Sequence, residues 1–349
     1  MKGSPQVALI TGGAGFVGTN TADRLLRSGS RVRILDDLSR PGVERNLRWL
    51  EQRHPFKLEV ELGDIRDAVT ARRAMRGAAE VFHFAAQVAV TTSLESPLAD
   101  AATNVQGTLN LLEAARGRPR PPRIVFTSTN KVYGSLEDVR LRETAFRYEP
   151  ADPGLRAAGI SEDRPLAFCT PYGCSKGAAD QYVLDWAKSY GVPTVVLRMS
   201  CIYGPHQFGT EDQGWVAHFV ISAIEGQPIT IYGDGKQVRD ILYVEDLVDA
   251  LLLARDHADR LAGCAFNMGG GPENAVSLLE LLDELAKLRD EDPQVRICGW
   301  RPGDQRYYVS NTSRFSAATG WRTAVSAANG LALLNQWLSA ERARPKAAA

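Results

Sequence analysis

The chain has 349 residues, 44% hydrophobic and 23% charged, with 41 basic and 41 acidic side chains. The balanced charge excludes a nucleic-acid surface built on a basic surplus, and no block of like charge forms an interaction tail. The length suits one large domain with a smaller one, and no apolar run reaches the ~20 residues of a membrane helix.

The first residues lack the apolar core of a signal peptide. The five cysteines, Cys169, Cys174, Cys201, Cys264 and Cys298, are scattered. With the histidines they give no metal-ligand spacing, so no metal is expected. Buried or inert thiols in a reducing cytoplasm are expected instead.

Strand and helix signals alternate through the first half. Residues 7–11 are a buried strand, followed by a glycine turn and a helix over about 17–28. Strands follow at 31–36, at 56–62 with alternating Leu58, Val60 and Leu62, and at 81–84. A helix covers roughly 99–115, and strands follow at 124–127 and 194–198. Continuous apolar strands separated by amphipathic helices predict a Rossmann-type α/β fold, a doubly wound parallel sheet covered on both faces. After residue 203 glycine, proline and aromatics become frequent. A helix at 215–225, strands at 229–232 and 238–243, and helices at 244–255, 277–288 and 325–338 are expected, with a frayed tail after Trp337. This texture predicts a nucleotide-binding domain over 1–203, to which 236–262 returns. A smaller mixed α/β substrate domain over 204–235 and 263–349 follows.

Gly12, Gly15 and Gly18 sit between the first strand and its helix. The first permits a tight turn, the second lets backbone approach a pyrophosphate, and the third lets the helix pack close. The N–H groups at the helix start, around Phe16 and Val17, then receive phosphate. Asp36 ends the second strand at the spacing of a ribose-binding acid, with Asp37, Ser39 and Arg40 beside it. A 2′-phosphate would meet negative charge there, which favours NAD over NADP; Arg40 argues mildly the other way. Asp64, before Ile65, either bonds an adenine amine or caps a helix starting near Ile65.

Tyr172 and Lys176 are four apart, one helical turn on one face. A nearby ammonium favours the phenolate and tunes the phenol as a base. Thr129, two residues beyond the strand at 124–127, can hold the reacting hydroxyl. An ordinary surface Tyr–Lys pair has the same spacing.

These residues together resemble the extended short-chain dehydrogenase/reductase family, the NAD-dependent epimerases and dehydratases of nucleotide sugars. The resemblance implies a catalytic triad of Thr129, Tyr172 and Lys176. It places Thr127, Phe84, Ala85, Ala86, Gln87, Asn104 and Cys201 around the cofactor. Gln87 and Ser200 would also face the substrate. It further implies that Arg239, Arg301, Asp304 and Arg306 grip the diphosphate and nucleoside of the substrate; for Arg239 and Arg306 the alternative is a solvated surface charge. The strings at 128–134, 168–182 and 207–219, which include Gln213 and Trp215, resemble the branch that inverts C2 of CDP-linked hexoses of the paratose and tyvelose type. A homodimer or homotetramer is implied through helices near 99–115 and 175–190. The stretch 143–165 matches less well.

Dehydratases of this family carry an acid pair after the catalytic threonine. Asn130 and Lys131 stand there instead, as substrate contacts or as plain loop. Dehydration is therefore disfavoured, and reversible oxidation at C2 with tightly held NAD is expected. The rivals are a 4-epimerase, an NAD(P)-dependent sugar reductase and an NAD-sensing regulator. Phe208 and Trp215 are candidates for a sugar wall or ordinary core aromatics.

Overall fold

A computed structural model of the chain describes residues 7–301 and 303–343. The first half builds β1 (Val7–Thr11), α1 (Phe16–Arg27), β2 (Arg31–Asp36), β3 (Leu58–Leu62), β4 (Ala78–His83) and β5 (Arg123–Thr129). The main sheet has seven strands in the order Cys264–Met268, Thr194–Met199, β5, β4, β1, β2, β3. Every pairing in it is parallel. All five residues of β1 are buried, as a strand covered on both faces requires. The expected doubly wound fold is the fold observed.

The strand order reverses between β1 and β4. A crevice beyond the carboxyl ends of those two strands is where such sheets bind ligands. The glycine loop after β1 and the Phe84–Gln87 segment after β4 meet there. Gly12 has φ +66, and a Cβ on it would lie 2.7 Å from the Ala85 nitrogen.

Two cores flank the sheet. One packs Leu25 and Leu26 of α1 against Leu247, Leu251 and Ala254. The other packs Leu9, Val81 and Phe126 against Leu111, Val183 and Trp186. A third core, with Tyr203, Phe219, Ile231, Leu285 and Leu334, belongs to the smaller unit.

The structure corrects several boundaries. The strand Val238–Tyr243, expected to rejoin the main domain, pairs instead with Ala275–Ser277, Tyr307–Tyr308 and Cys201–Tyr203. The helix after it, Val244–Asp256, does pack on the main sheet. The strand Cys264–Met268, assigned from sequence to the smaller domain, is the edge strand of the main sheet beside Thr194–Met199. The helix expected over 99–115 is three pieces: Pro97–Ala101, a π-helical turn Ala102–Gln106, and Gly107–Arg116. The chain after Trp337 continues as helix to Ala343 rather than fraying. Residues 344–349 and the first six lie outside the described residues. Among the described residues no helix is long and apolar enough to cross a membrane.

Candidate active site

β5 delivers Thr129 to the edge of the crevice, and the helix Thr170–Tyr190 delivers Tyr172 and Lys176. Thr129, Tyr172 and Lys176 are all buried. The Thr129 hydroxyl accepts from the Lys131 amide at 3.2 Å, capping the 3₁₀ turn Asn130–Tyr133. The Tyr172 amide donates to Ser93 Oγ at 3.1 Å. The helix opens at Thr170 with φ +64, a strained conformation for a β-branched residue, next to Pro171.

The electrostatics differ from the sequence expectation. The Lys176 ammonium reaches back to β5, donating to the Thr127 carbonyl at 2.7 Å and lying 4.2 Å from the Phe126 ring centroid. Burial holds it down to about 7, against the pull of Asp180 and Asp100. Tyr172 is pushed up to about 12 by burial; a hydrogen bond with the Thr129 side chain opposes this and the Asp100 charge adds to it. Sequence spacing put lysine and phenol on one face but did not show that the ammonium also bonds a backbone carbonyl.

Asp100 organises this cluster and was missed from sequence. It is buried and accepts from Gln87 Nε2 at 2.7 Å, from Asn104 Nδ2 at 3.3 Å and from the Ser175 hydroxyl. Asn104, on the π turn, also donates to the Gln87 carbonyl at 3.0 Å and to Ser175 Oγ at 2.9 Å. Its side-chain oxygen accepts from the Gln87 amide at 2.9 Å. Thus Gln87 and Asn104, expected to touch ligand, brace the β4 loop against the Tyr172 helix. The i,i+4 spacing of Asp100 and Asn104 was the available signal. His83 is buried between Thr11 Oγ1 at 2.6 Å and Thr108 Oγ1 at 3.0 Å, and burial holds it neutral at about 3.

The cofactor side fits a dinucleotide. α1 begins at Phe16 with Gly15 as its N-cap, no side-chain cap and no acid in its first turn. Its amides at Phe16 and Val17 are therefore left to an anion. A Cβ on Gly18 would lie 2.3 Å from the Gly12 carbonyl oxygen, so the third glycine is required by close packing. Asp36 accepts from Ala14 N at 3.0 Å and Leu38 N at 2.9 Å, and burial raises its pKa. A carboxylate retains further acceptor capacity for a ribose diol. Asp37, exposed, accepts from the Ser39 amide at 3.0 Å and its hydroxyl at 2.7 Å. Arg40 donates to the Gln213 side chain.

Asp64 is not the helix cap. The helix after it starts at Ala68, and Asp67 is its cap, accepting from Val69 and Thr70 amides. The Asp64 carboxylate instead accepts from Arg66 Nε and N, each at 2.8 Å. Ile65 is a core side chain packed with Leu111. Ala85 donates to Thr11 Oγ1 at 3.3 Å, while Phe84 packs partly buried against the core on the α1 side.

Beside the cluster lies a cavity of about 250 Å³, lined by Lys131, Cys201, Gln213, Trp215, Arg239, Arg301, Gly303 and Asp304 among others. Arg239 is buried, paired with Asp304 at 2.7 Å and bonded to the Val238 carbonyl at 2.8 Å. Arg301 lies 3.8 Å over the Tyr232 ring and 3.4 Å from Asp212. Cys201, expected at the cofactor, accepts from Trp215 Nε1 at 3.3 Å on the cavity side.

Four of the candidate residues do not line this cavity. Arg306 is exposed between Tyr148 and Trp300 and does not line the cavity. Ser200 is occupied by Asp240, donating to its carboxylate at 2.5 Å. Asn130 is buried against Gln305. Phe208 stacks near Trp337 and under Arg45, away from the cavity. Glycine-rich loops and paired charges were visible in the sequence; which arginine faces inward depended on the tertiary path. His218 and Gln237 also line the cavity.

The sequence profile of the NAD dependent epimerase/dehydratase family matches residues 8–269. The chain is 43% identical over 338 residues to CDP-paratose 2-epimerase of Salmonella typhi, covering 95% of this chain and 98% of that one. It is 34% identical over 326 residues to UDP-glucose 4-epimerase of Mycolicibacterium smegmatis, covering 93% and 96%. The UDP-glucose 4-epimerase structure of Thermus thermophilus in complex with NAD superposes with TM-score 0.79 at 31% identity, covering 96% of this chain and 99% of that one. The chain belongs to the NAD dependent epimerase/dehydratase family.

Proposed function

We propose that this chain is an NAD-dependent nucleotide-sugar epimerase that inverts C2 of a CDP-linked hexose, with NAD held through successive turnovers. The observation that carries the reading is the convergence of Thr129, Tyr172 and Lys176 beside a cavity that Lys131 lines, with Asn130 and Lys131 following Thr129 in place of an acid pair. The choice of C2 and of cytidine draws on the similarity to the Salmonella typhi enzyme.

The amides at the start of α1 would hold the pyrophosphate, and Asp36 the adenosine ribose, favouring NAD over NADP. Bound there, NAD supplies reversible hydride transfer. The protein's own work is proton handling and orientation. Tyr172, once ionised, would receive the proton of the C2 hydroxyl as that carbon is oxidised and return it on reduction. Thr129 fixes the reacting oxygen by a hydrogen bond. Lys176, tied to Thr127, fixes the floor on which the phenol and cofactor ribose sit. Arg239 and Arg301 would hold the diphosphate and nucleoside while the hexose turns over, so that either face can meet the hydride. Trp215 forms one wall of the space in which it turns.

The reading includes a cytoplasmic homodimer or homotetramer. Leu98, Tyr182 and Tyr190 are exposed on the helices expected to self-associate. The deciding test is to offer CDP-, UDP-, GDP-, ADP- and dTDP-hexoses to the purified protein and follow the sugar protons by NMR. Inversion at C2 of a CDP-hexose supports the reading; inversion at C4 of a UDP-hexose replaces it with a 4-epimerase.

A further inference from the structure

Lys131 is the residue that generic family chemistry leaves without a task. It stands two positions after Thr129, on the 3₁₀ turn that ends β5. Its side chain lines the cavity together with Arg239 and Asp304. An ammonium carries three donors. Here one goes to the Gly303 carbonyl at 3.2 Å, which leaves donors for a bound molecule. Burial and the neighbouring Arg239 hold Lys131 down to about 8, with Asp304, Cys201 and Cys169 opposing. Two cations sharing one half-buried cavity are stabilised by an anion between them. Asp304 already neutralises part of Arg239, through one carboxylate oxygen at 2.7 Å.

The position carries a chemical consequence. The oxidised carbon sits at Thr129 and Tyr172. In a C2 reaction that carbon is bonded directly to C1, which bears the diphosphate. In a C4 reaction the diphosphate lies across the ring. A cation on the turn after Thr129, lining the same cavity as Arg239, suits a β-phosphate attached next to the reacting carbon.

We propose that Lys131 binds the β-phosphate of the substrate and so sets the hexose with C2, rather than C4, at Tyr172. This rests on the proposed C2 epimerisation of a nucleotide sugar. Lys131 then acts as a specificity-determining substrate contact, and its bond to Gly303 orients it by joining the catalytic turn to the segment that carries Arg301 and Asp304. Gln305 reinforces that junction, donating to the Gly134 carbonyl at 2.5 Å.

The test compares CDP with CMP, and UDP with UMP, by calorimetric titration of the purified enzyme and its Lys131→Met, Lys131→Gln and Lys131→Arg variants. Lys131→Met should lower affinity for the diphosphates about ten- to a hundredfold, the range for a lost charge-assisted hydrogen bond. The monophosphates should bind unchanged, and Lys131→Arg should keep most of the preference. Should Lys131→Met fold poorly, Lys131→Gln reads the same difference. A diphosphate-to-monophosphate ratio equal to that of the wild type in the neutral variants overturns the proposal, as does an equal loss for both. The nucleoside with which the effect appears is a separate result: a diphosphate effect with UDP but not CDP supports the role of Lys131 and refutes the cytidine assignment.

Discussion

Lys176 Nζ lies 2.7 Å from the carbonyl oxygen of Thr127, so the helix carrying Tyr172 is pinned to the strand carrying Thr129 by a buried ammonium. Pinning comes at a cost, because the charge is desolvated and its pKa falls from 10.5 to about 7. Below about pH 7 folded and unfolded chains both hold the proton, and the full cost is present. Between about 7 and 10.5 the unfolded chain binds more protons, so stability rises with pH and the cost fades. Lys176→Met should therefore unfold at a higher temperature than the wild type at about pH 6, with an advantage that shrinks steadily toward about pH 10. Paired thermal scans across that range check it; a difference independent of pH would mean that the lysine is not buried as an ammonium.

Tyr172→Phe removes the hydroxyl and keeps the ring, whose backbone amide is held by Ser93. Turnover should fall about a thousandfold, within the usual range for loss of a general acid–base group. NAD content, read from the absorbance of the denatured protein's released cofactor, should stay unchanged. Loss of cofactor along with activity would mark the tyrosine as structural.

The glycine loop gives a graded prediction. A Cβ at Gly18 would sit 2.3 Å from a backbone oxygen, whereas one at Gly15 would meet the same oxygen at 3.1 Å. Gly18→Ala should lose both cofactor and stability. Gly15→Ala should fold nearly as well as the wild type while binding NAD more weakly. Calorimetric titration and denaturant unfolding separate the two effects, and equal stability losses would contradict the assigned roles.

The buried pair of Arg198 and Asp180 holds the far side of the same helix to the sheet, with Nε and Nη2 each 2.9 Å from the carboxylate. Asp180→Asn leaves the guanidinium with a weaker partner in a buried site. It should cost about 3–5 kcal/mol, measured by urea unfolding. A loss below about 1 kcal/mol would place the pair in a solvated, exchangeable setting.

Much of the sheet was legible because its strands carry short apolar runs, with Val7–Thr11 closed by glycine and Arg31–Asp36 by an acid. The triad was legible because i,i+4 spacing survives folding. Asp100 was not, since its role depends on a π turn and on Ser175 arriving from 75 residues away. The choice between grip and solvated charge for Arg306 was open in the sequence, because the exposure of an arginine depends on the tertiary path of its loop. The edge strand Cys264–Met268 was misassigned because its local texture matches the smaller unit that follows it. Tertiary pairing with Thr194–Met199 decided its place.

In the proposed reaction the hydrogen lifted from C2 comes back to the same carbon from the other face. Turnover of a CDP-hexose in heavy water, followed by proton NMR of the product, tests it directly. The account predicts an inverted C2 that keeps its original proton at full intensity. Deuterium at that carbon would show exchange with solvent and contradict it.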